Sequence, residues 1–426
     1  MKRVLIDYFA KDKIKTWAAR LVFFSLIGII VYYLFLNFKP FTYYGWEVSE
    51  WLINYEGGFV RRGLAGELLL LLYKTYSFSP PVFIMYTIVI SSIVFLLVVF
   101  RLFYKEGWSV MILPVGCCLK YIIFTGFARR DLVMLLMIYV LFYIFKQMIA
   151  KYSTWSVLIF EIFSIILLLF HEASFFFTFP LLVLLLNTSL RHKNISMVYI
   201  IIISITLFLP VLCVLIMICI CRGNENVATE IWKSWENTII TYPDGFSTAN
   251  SVIDAVTPSY LSTHSVSLIN IGEGVNALTW NTIETFYTHF FGNYIGMHYP
   301  YARAIKKILY IAGTYYLVTR INTVNPRFSY PLKSVDTIKM SNILLFQFIF
   351  MLPLFTILSV DWGRTLPYWV FSSLFAYHFF DRIDIPIINR ISIKFQQKLE
   401  NTFCNNPYVY LVVLISIPYI SVSGWV

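Results

Sequence analysis

The sequence predicts an all-α fold: a polytopic transmembrane helix bundle of about eleven spans with one large outer loop. Three observations carry that expectation. Hydrophobic residues make up 59% of the 426 and charged residues only 13%, too few to clothe a soluble surface of this length. Apolar runs recur along most of the chain, and as helices they can cross a hydrocarbon core of roughly 30 Å. Basic residues collect in the short segments between alternate runs, the distribution that sets membrane topology. The net charge of +11 is therefore read as topology, and no nucleic acid is expected as a partner.

The N-terminus carries Lys2, Arg3, Lys11, Lys13, Lys15 and Arg20 ahead of an apolar run. That run is long for a signal-peptide core and no small-x-small cleavage site follows it. It reads as a retained first span with a cytoplasmic N-terminus. The spans are then 21–39, 82–104, 108–125, 131–148, 155–170, 174–188, 197–221, 304–320, 341–360, 366–380 and 407–423. Every inner loop so defined is basic: Lys105; Lys146 and Lys151; Arg191 and Lys193; Arg320, Arg327, Lys333 and Lys339; Arg382, Arg390, Lys394 and Lys398. The C-terminus falls outside. A single tilted helix over 155–188 is the competing reading and would invert everything downstream. Two helices are preferred because one would put Glu172 at the bilayer centre. The whole chain, 1–426, is one integral membrane domain, with a first outer loop over 40–81 and a large polar outer loop over 223–303. Within the first loop, 64–73 is too short to span and reads as an interfacial or re-entrant helix.

With this topology the unusual polar groups share one membrane face. "NYEGGFVRRGL" supplies Arg61 and Arg62, after Glu47, Glu50 and Glu56. "TGFARRDL" supplies Arg129, Arg130 and Asp131; "FHEASFFF" supplies His171 and Glu172; "VDWGRT" supplies Asp361 and Arg364. Each has a structural reading: a snorkelling anchor for the first arginines, helix capping for Asp131, a hydrogen-bonded histidine, and a local Asp361–Arg364 pair. Their crowding on one face favours a site. Five arginines at one lip suit a phosphate, which guanidinium forks bind bidentately at any relevant pH. A diphosphate on a lipid carrier has that charge at headgroup depth. Gly57 and Gly58 would let backbone approach the anion, and Gly63 would let a helix start sharply. "GFVRRGL" and "GFARRDL" share a pattern that one chance match could produce. In the large loop, Trp232, Trp235 and Trp280 serve either as a sugar platform or as packing of the loop itself.

No soluble-enzyme motif appears: no G-x-G-x-x-G, no Walker loop, no H-E-x-x-H. The six cysteines lack zinc-site spacing and read as small apolar residues. No metal and no cofactor is expected.

"GFARRDLVMLLMIYVLFYIF", followed after some twenty residues by "LLLFHEASFFFTFPLLVLLL", resembles bacterial O-antigen and exopolysaccharide repeat-unit polymerases, which are polytopic, GT-C-like glycosyltransferases of the inner membrane. Arg129 or Arg130, His171 and Ser174 stand at the matching positions, and "VDWGRT" is similar to a further polar turn of such proteins. The resemblance covers about 120–190 and does not extend to "GGFVRRGL". It implies glycosyl transfer at the periplasmic face, from a glycan on polyprenyl diphosphate to a single repeat unit on the same carrier. The arginines Arg61, Arg62, Arg129, Arg130 and Arg364 would hold the diphosphate. The base would be Glu172, His171, Asp131 or Asp361, in that order. The partners implied are the polyprenyl-diphosphate-linked oligosaccharide, membrane lipid and a chain-length regulator protein. One alternative is a GT-C-type enzyme using a polyprenyl-phosphate sugar, which would promote Glu47, Glu50 or Glu56 as base. Another is a flippase or transporter of lipid-linked sugars, which calls for polar groups at the bilayer midplane. A non-catalytic assembly component would leave the one-sided cluster unexplained.

Overall fold

The structure is a computed structural model describing residues 46–78, 80–106, 130–221, 223–235, 300–320, 336–358, 362–380, 385–404 and 406–422, with the single positions 17, 21 and 28. All elements among these residues are helices. They are α1 (Trp46–Leu52), α2 (Gly63–Tyr76), α3 (Pro80–Glu106), α4 (Asp131–Ala150), α5 (Thr154–Phe170), α6 (Ser174–His192) and α7 (Met197–Ile220). They continue with α8 (Glu225–Lys233), α9 (Pro300–Thr319), α10 (Thr337–Pro353), α11 (Trp362–Phe379), α12 (Pro386–Phe403) and α13 (Pro407–Val422). A π turn, Leu354–Leu358, follows Pro353 at the end of α10. A proline at that point disturbs the α ladder, which is a recognised cause of such turns.

Five of the described helices contain segments long and apolar enough to cross a membrane: Val82–Val99, Asp131–Ala150, Ser174–His192, Met197–Ile220 and Thr337–Thr356. This is the make-up of an integral membrane protein. Thr154–Phe170 is apolar but shorter. Helices also stand at the expected spans 304–320, 366–380 and 407–423, whereas 21–39 and 108–125 lie outside the described residues.

The backbone gathers into two compact units. The first, Leu36–Ile93 with Gly126–Trp280, holds α1, α2, the first half of α3, and α4 to α8. In it α5 packs on α4, α7 and α2, and α6 packs on α4 and α7. An aromatic seam ties these helices together. Phe145 of α4 meets Phe160 of α5 at 5.3 Å between ring centres, and Phe208 of α7 meets Phe160 at 6.0 Å and Phe179 of α6 at 6.2 Å. Most of α7 keeps its apolar side chains exposed, including Ile202, Ile205, Leu209, Ile216 and Ile220. Such a surface suits lipid and not water. The second unit, Met1–Phe35 with Val94–Thr125 and Asn281–Val426, holds the rest of α3 and α9 to α13. There α10 packs on α9, α11 and α12, with the Trp369 indole N–H donating to the Leu344 carbonyl at 2.9 Å.

Local chemistry explains the break between α5 and α6. Ser153 starts α5 with a reciprocal capping box: its hydroxyl accepts from the Ser156 N–H and the Ser156 hydroxyl accepts from its own. The helix ends at Phe170 because His171 turns extended, at φ −162° and ψ 115°. Ser174 then begins α6. The polar His171-Glu172-Ala173 run thus sits at helix ends, and the single-helix reading of 155–188 does not occur. The 64–73 segment forms part of α2, which packs on α1 and α5.

Candidate functional site

The site is assembled from three loop–helix junctions of the first unit. Arg62 stands just before α2, Arg130 just before α4, and Glu172 between α5 and α6. The starts of α2, α4 and α6 therefore meet there, each bringing the partial positive charge of unpaired N–H groups.

Glycines decide how the α1–α2 turn folds. A Cβ on Gly66 would lie 2.0 Å from the Ile53 carbonyl oxygen, so α2 can pass beneath the preceding chain only with a glycine there. A Cβ on Gly57 would lie 2.7 Å from the Val227 carbonyl oxygen in α8. Gly58 has φ of 109°, a region that side chains rarely adopt. Gly63 lies under the Tyr55 ring, which stacks on Phe59 at 5.6 Å. Gly63 opens α2, as expected, with the Tyr55 ring packed over it. Gly57, expected to admit an anion, admits Val227.

The turn delivers Arg61 and Arg62 to Glu172. Arg61 Nη1 donates to Glu172 Oε1 at 2.8 Å. Arg62 grips the same carboxylate in a fork: Nη2 donates to Oε1 at 2.8 Å and Nε to Oε2 at 3.0 Å. Its remaining arm, Nη1, donates to Glu50 Oε1 at 3.1 Å. Arg62 adopts a left-handed backbone, φ 60° and ψ 10°, which costs a non-glycine residue about 1–2 kcal/mol. That geometry turns its carbonyl toward Arg130, whose Nη1 donates to it at 3.1 Å. Arg130 is fully buried; its guanidinium carbon lies 5.3 Å from the Phe170 ring centre and 6.0 Å from that of Trp51. Cation–π attraction compensates part of its desolvation. Asp131, 1% exposed, opens α4 beside it. The cluster thus holds Arg61 and Arg62 against Glu172 and Glu50, with Arg130 bound to the Arg62 carbonyl.

Burial alone would push the Glu172 carboxyl up, but Arg62 and Arg61 hold it well below the usual carboxylate range. Burial pulls Arg61 down to about 10, opposed by Glu172, so Arg61 stays cationic at neutral pH. The Tyr55 hydroxyl is raised to about 12, by burial first and Glu67 second, with Arg130 opposing. His171 Nδ1 accepts the Ala173 N–H at 3.3 Å and lies 3.7 Å from Glu172 Oε2. Accepting that N–H requires a bare Nδ1, whereas pairing with Glu172 requires a protonated one. The shorter contact favours the neutral ring with its proton on Nε2.

A pH prediction follows from Glu172. Its carboxyl is held lower in the folded state than in the unfolded chain. The stability it lends is complete above the ordinary carboxylate value of 4.5 and is lost as pH falls through the lower folded value. The melting temperature of the purified protein should hold through mildly acid pH and drop below about 4.5. Glu172→Gln should lower the plateau and flatten that acid limb. An acid limb unchanged by Glu172→Gln would assign it to other groups.

Of the residues singled out in the sequence, the fold brings together Arg61, Arg62, Arg130, Asp131, His171 and Glu172. Ser174 lies alongside, its hydroxyl 3.4 Å from the Leu167 carbonyl. The expectation of a sugar platform meets buried indoles at Trp232 and Trp235, each 0% exposed. Trp235 donates its indole N–H to the Leu52 carbonyl at 2.8 Å and packs on Tyr73, so its ring ties the end of α8 to the α1–α2 turn. Arg364 lies in the first turn of α11, within the other unit. Arg129, Trp280 and Asp361 lie outside the described residues. The sequence reading passed over Trp51 and Phe170 as the seat of Arg130; an aromatic next to each polar motif was the available signal. The chain matches no family model, no curated protein and no solved structure.

Proposed function

We propose that this protein polymerises lipid-linked oligosaccharide repeat units, by glycosyl transfer from a polyprenyl-diphosphate-linked glycan at the outer face of the bacterial inner membrane. The observation that carries the reading is the convergence on Glu172 of arginines from a loop more than a hundred residues away, with Arg62 bound to it in a fork. The same cluster contains Arg130 and His171, with Ser174 alongside; the resemblance to polysaccharide polymerases rests on Arg129 or Arg130, His171 and Ser174.

In this reading Glu172 and Glu50 occupy the arginine fork until a diphosphate takes their place. Arg62 is the arginine a ligand reaches first, since 11% of its side chain is exposed against 3% for Arg61. The diphosphate draws the guanidinium groups of Arg62 and Arg61 away from Glu172. Freed of those cations, Glu172 regains basicity and accepts the proton of the acceptor sugar hydroxyl. The hydroxyl oxygen bonds to the anomeric carbon. The bond from that carbon to the diphosphate oxygen breaks, and polyprenyl diphosphate leaves with the electron pair. Arg61 and Arg62 stabilise the charge growing on it.

The test is the surface glycan of a deletion strain complemented with parent or Arg62→Lys protein. The parent should restore the ladder of chain lengths. Arg62→Lys keeps the charge but loses the fork, and should lower transfer by about a hundredfold at unchanged protein level, leaving single repeat units. A full ladder in the deletion strain, or from Arg62→Lys, would overturn the reading. One observation favours a second reading, transfer from a polyprenyl-phosphate sugar: Glu50 of the first loop lies within the cluster. In that case Glu50→Gln would abolish transfer and Glu172→Gln would spare it.

A further inference from the structure

The segment after α11 was expected to be a basic inner loop. It forms instead the eighteen-residue helix α12, and its surface has three distinct stripes. Ile388, Ser392 and Gln396 are buried, four residues apart, on one stripe. Ile387, Ile391 and Phe395 form a second stripe and are 76%, 43% and 51% exposed. Arg390, Lys394 and Lys398 form a third, also exposed. At 3.6 residues per turn the exposed apolar stripe lies between the buried one and the basic one.

The buried stripe shows how α12 is seated. Asn342 Nδ2 donates to Asn389 Oδ1 at 3.3 Å. Gln396 Nε2 donates to the Tyr315 hydroxyl at 2.9 Å, and that hydroxyl is bonded to Ser341. Phe395 and Phe403 are about 12 Å apart along α12, yet they meet Tyr315 and Tyr316, adjacent positions near the end of α9, at 6.4 and 5.4 Å between ring centres. α12 therefore crosses the end of α9 steeply. The crossing lies beside Ser341 and Asn342, within two turns of the start of Thr337–Thr356, a segment long and apolar enough to span. Other chain ends collect at this level. Tyr377, in the last turns of α11, accepts the Asp336 N–H on its hydroxyl oxygen at 2.9 Å, and its carbonyl accepts from Lys339 Nζ at 3.1 Å. Arg320, just past α9, donates to the Gln396 carbonyl at 3.2 Å. Tyr316 meets Tyr410, at the start of α13, at 6.3 Å between ring centres.

We infer that α12 lies in the plane of the membrane surface and binds anionic phospholipid, with Ile387, Ile391 and Phe395 in the acyl region and Arg390, Lys394 and Lys398 on the headgroups. A helix crossing the end of a span sits at headgroup depth by construction. An apolar stripe bordered by cations is the pattern that holds there. Against the three cations α12 carries one carboxylate, Glu400, so its charge complements an anionic leaflet. This inference does not depend on the proposed transfer reaction.

The experiment uses the full chain. In detergent, phosphatidylglycerol should bind the parent more tightly than phosphatidylcholine does. The variant R390Q/K394Q/K398Q should bind phosphatidylglycerol about a hundredfold more weakly, with its lipid-free melting temperature unchanged. In vesicles of the two lipids, a photoactivatable phosphatidylglycerol should label the 386–403 peptide of the unmodified protein, and a photoactivatable phosphatidylcholine should label it less. Equal labelling by both lipids, or undiminished phosphatidylglycerol affinity in the triple variant, would overturn the inference. The labelling arm uses no variant, so it decides the matter even where the substitutions impair folding.

Discussion

Glu172→Ala is expected to cost on the order of 3–5 kcal/mol, the largest single-residue effect in the site. Glu172 lies between two arginines, one of which grips it through two nitrogens. Removing the carboxylate leaves cations in a buried, low-dielectric setting with one counter-charge fewer. The measurement is the melting temperature of the purified protein in detergent, together with the amount that inserts. Arg61→Met in the Glu172→Ala background should recover part of the loss, because it removes one of the stranded charges. The two effects should then be strongly non-additive. Additive losses, or a Glu172→Ala protein as stable as its parent, would mean that the pair contributes nothing. Activity of Glu172→Gln is a separate readout. It reports on proton transfer, and the Arg61 cycle does not.

Gly66→Ala should destabilise by about 3 kcal/mol, the upper end of the overpacking range. The added methyl would meet the Ile53 carbonyl oxygen at 2.0 Å and its carbon at 2.4 Å. These are backbone atoms, so no side chain can swing aside. Relief requires α2 to move from the α1–α2 turn, and that motion would carry Arg61 and Arg62 away from Glu172. The same substitution at Gly63 should cost less, since its neighbour is the Tyr55 ring, which can rotate. Equal melting temperatures for the two variants would remove the distinction between backbone and side-chain obstruction.

Part of the site was legible as chemistry in one dimension. Arg61, Arg62, Arg130, Asp131, His171 and Glu172 stood out because ionised groups beside apolar runs are costly. Their placement at helix ends followed from the lengths of those runs. The pairing was not legible. Arg62 and Glu172 are separated by 110 positions, and no local pattern states that one carboxylate will serve two arginines. Read alone, the arginines suit an external anion; in the fold, protein carboxylates already sit on Arg61 and Arg62. The partner of Gly57 was not legible for the same reason. A sequence shows that a close approach is permitted, but Val227 reaches Gly57 only once the chain has folded back.

The sequence by itself determined the solvent this protein suits and the all-helical character that follows. Composition and run length are local quantities, and lipid allows few ways to satisfy a backbone. It also determined the break at His171, because a carboxylate resists burial in hydrocarbon. Only the tertiary structure decided which charges neutralise one another, that Trp232 and Trp235 are packing residues, and that 386–403 is a helix seated on α9 and α10. Those outcomes depend on contacts between residues far apart in the chain, where a few ångströms separate an ion pair from an open site.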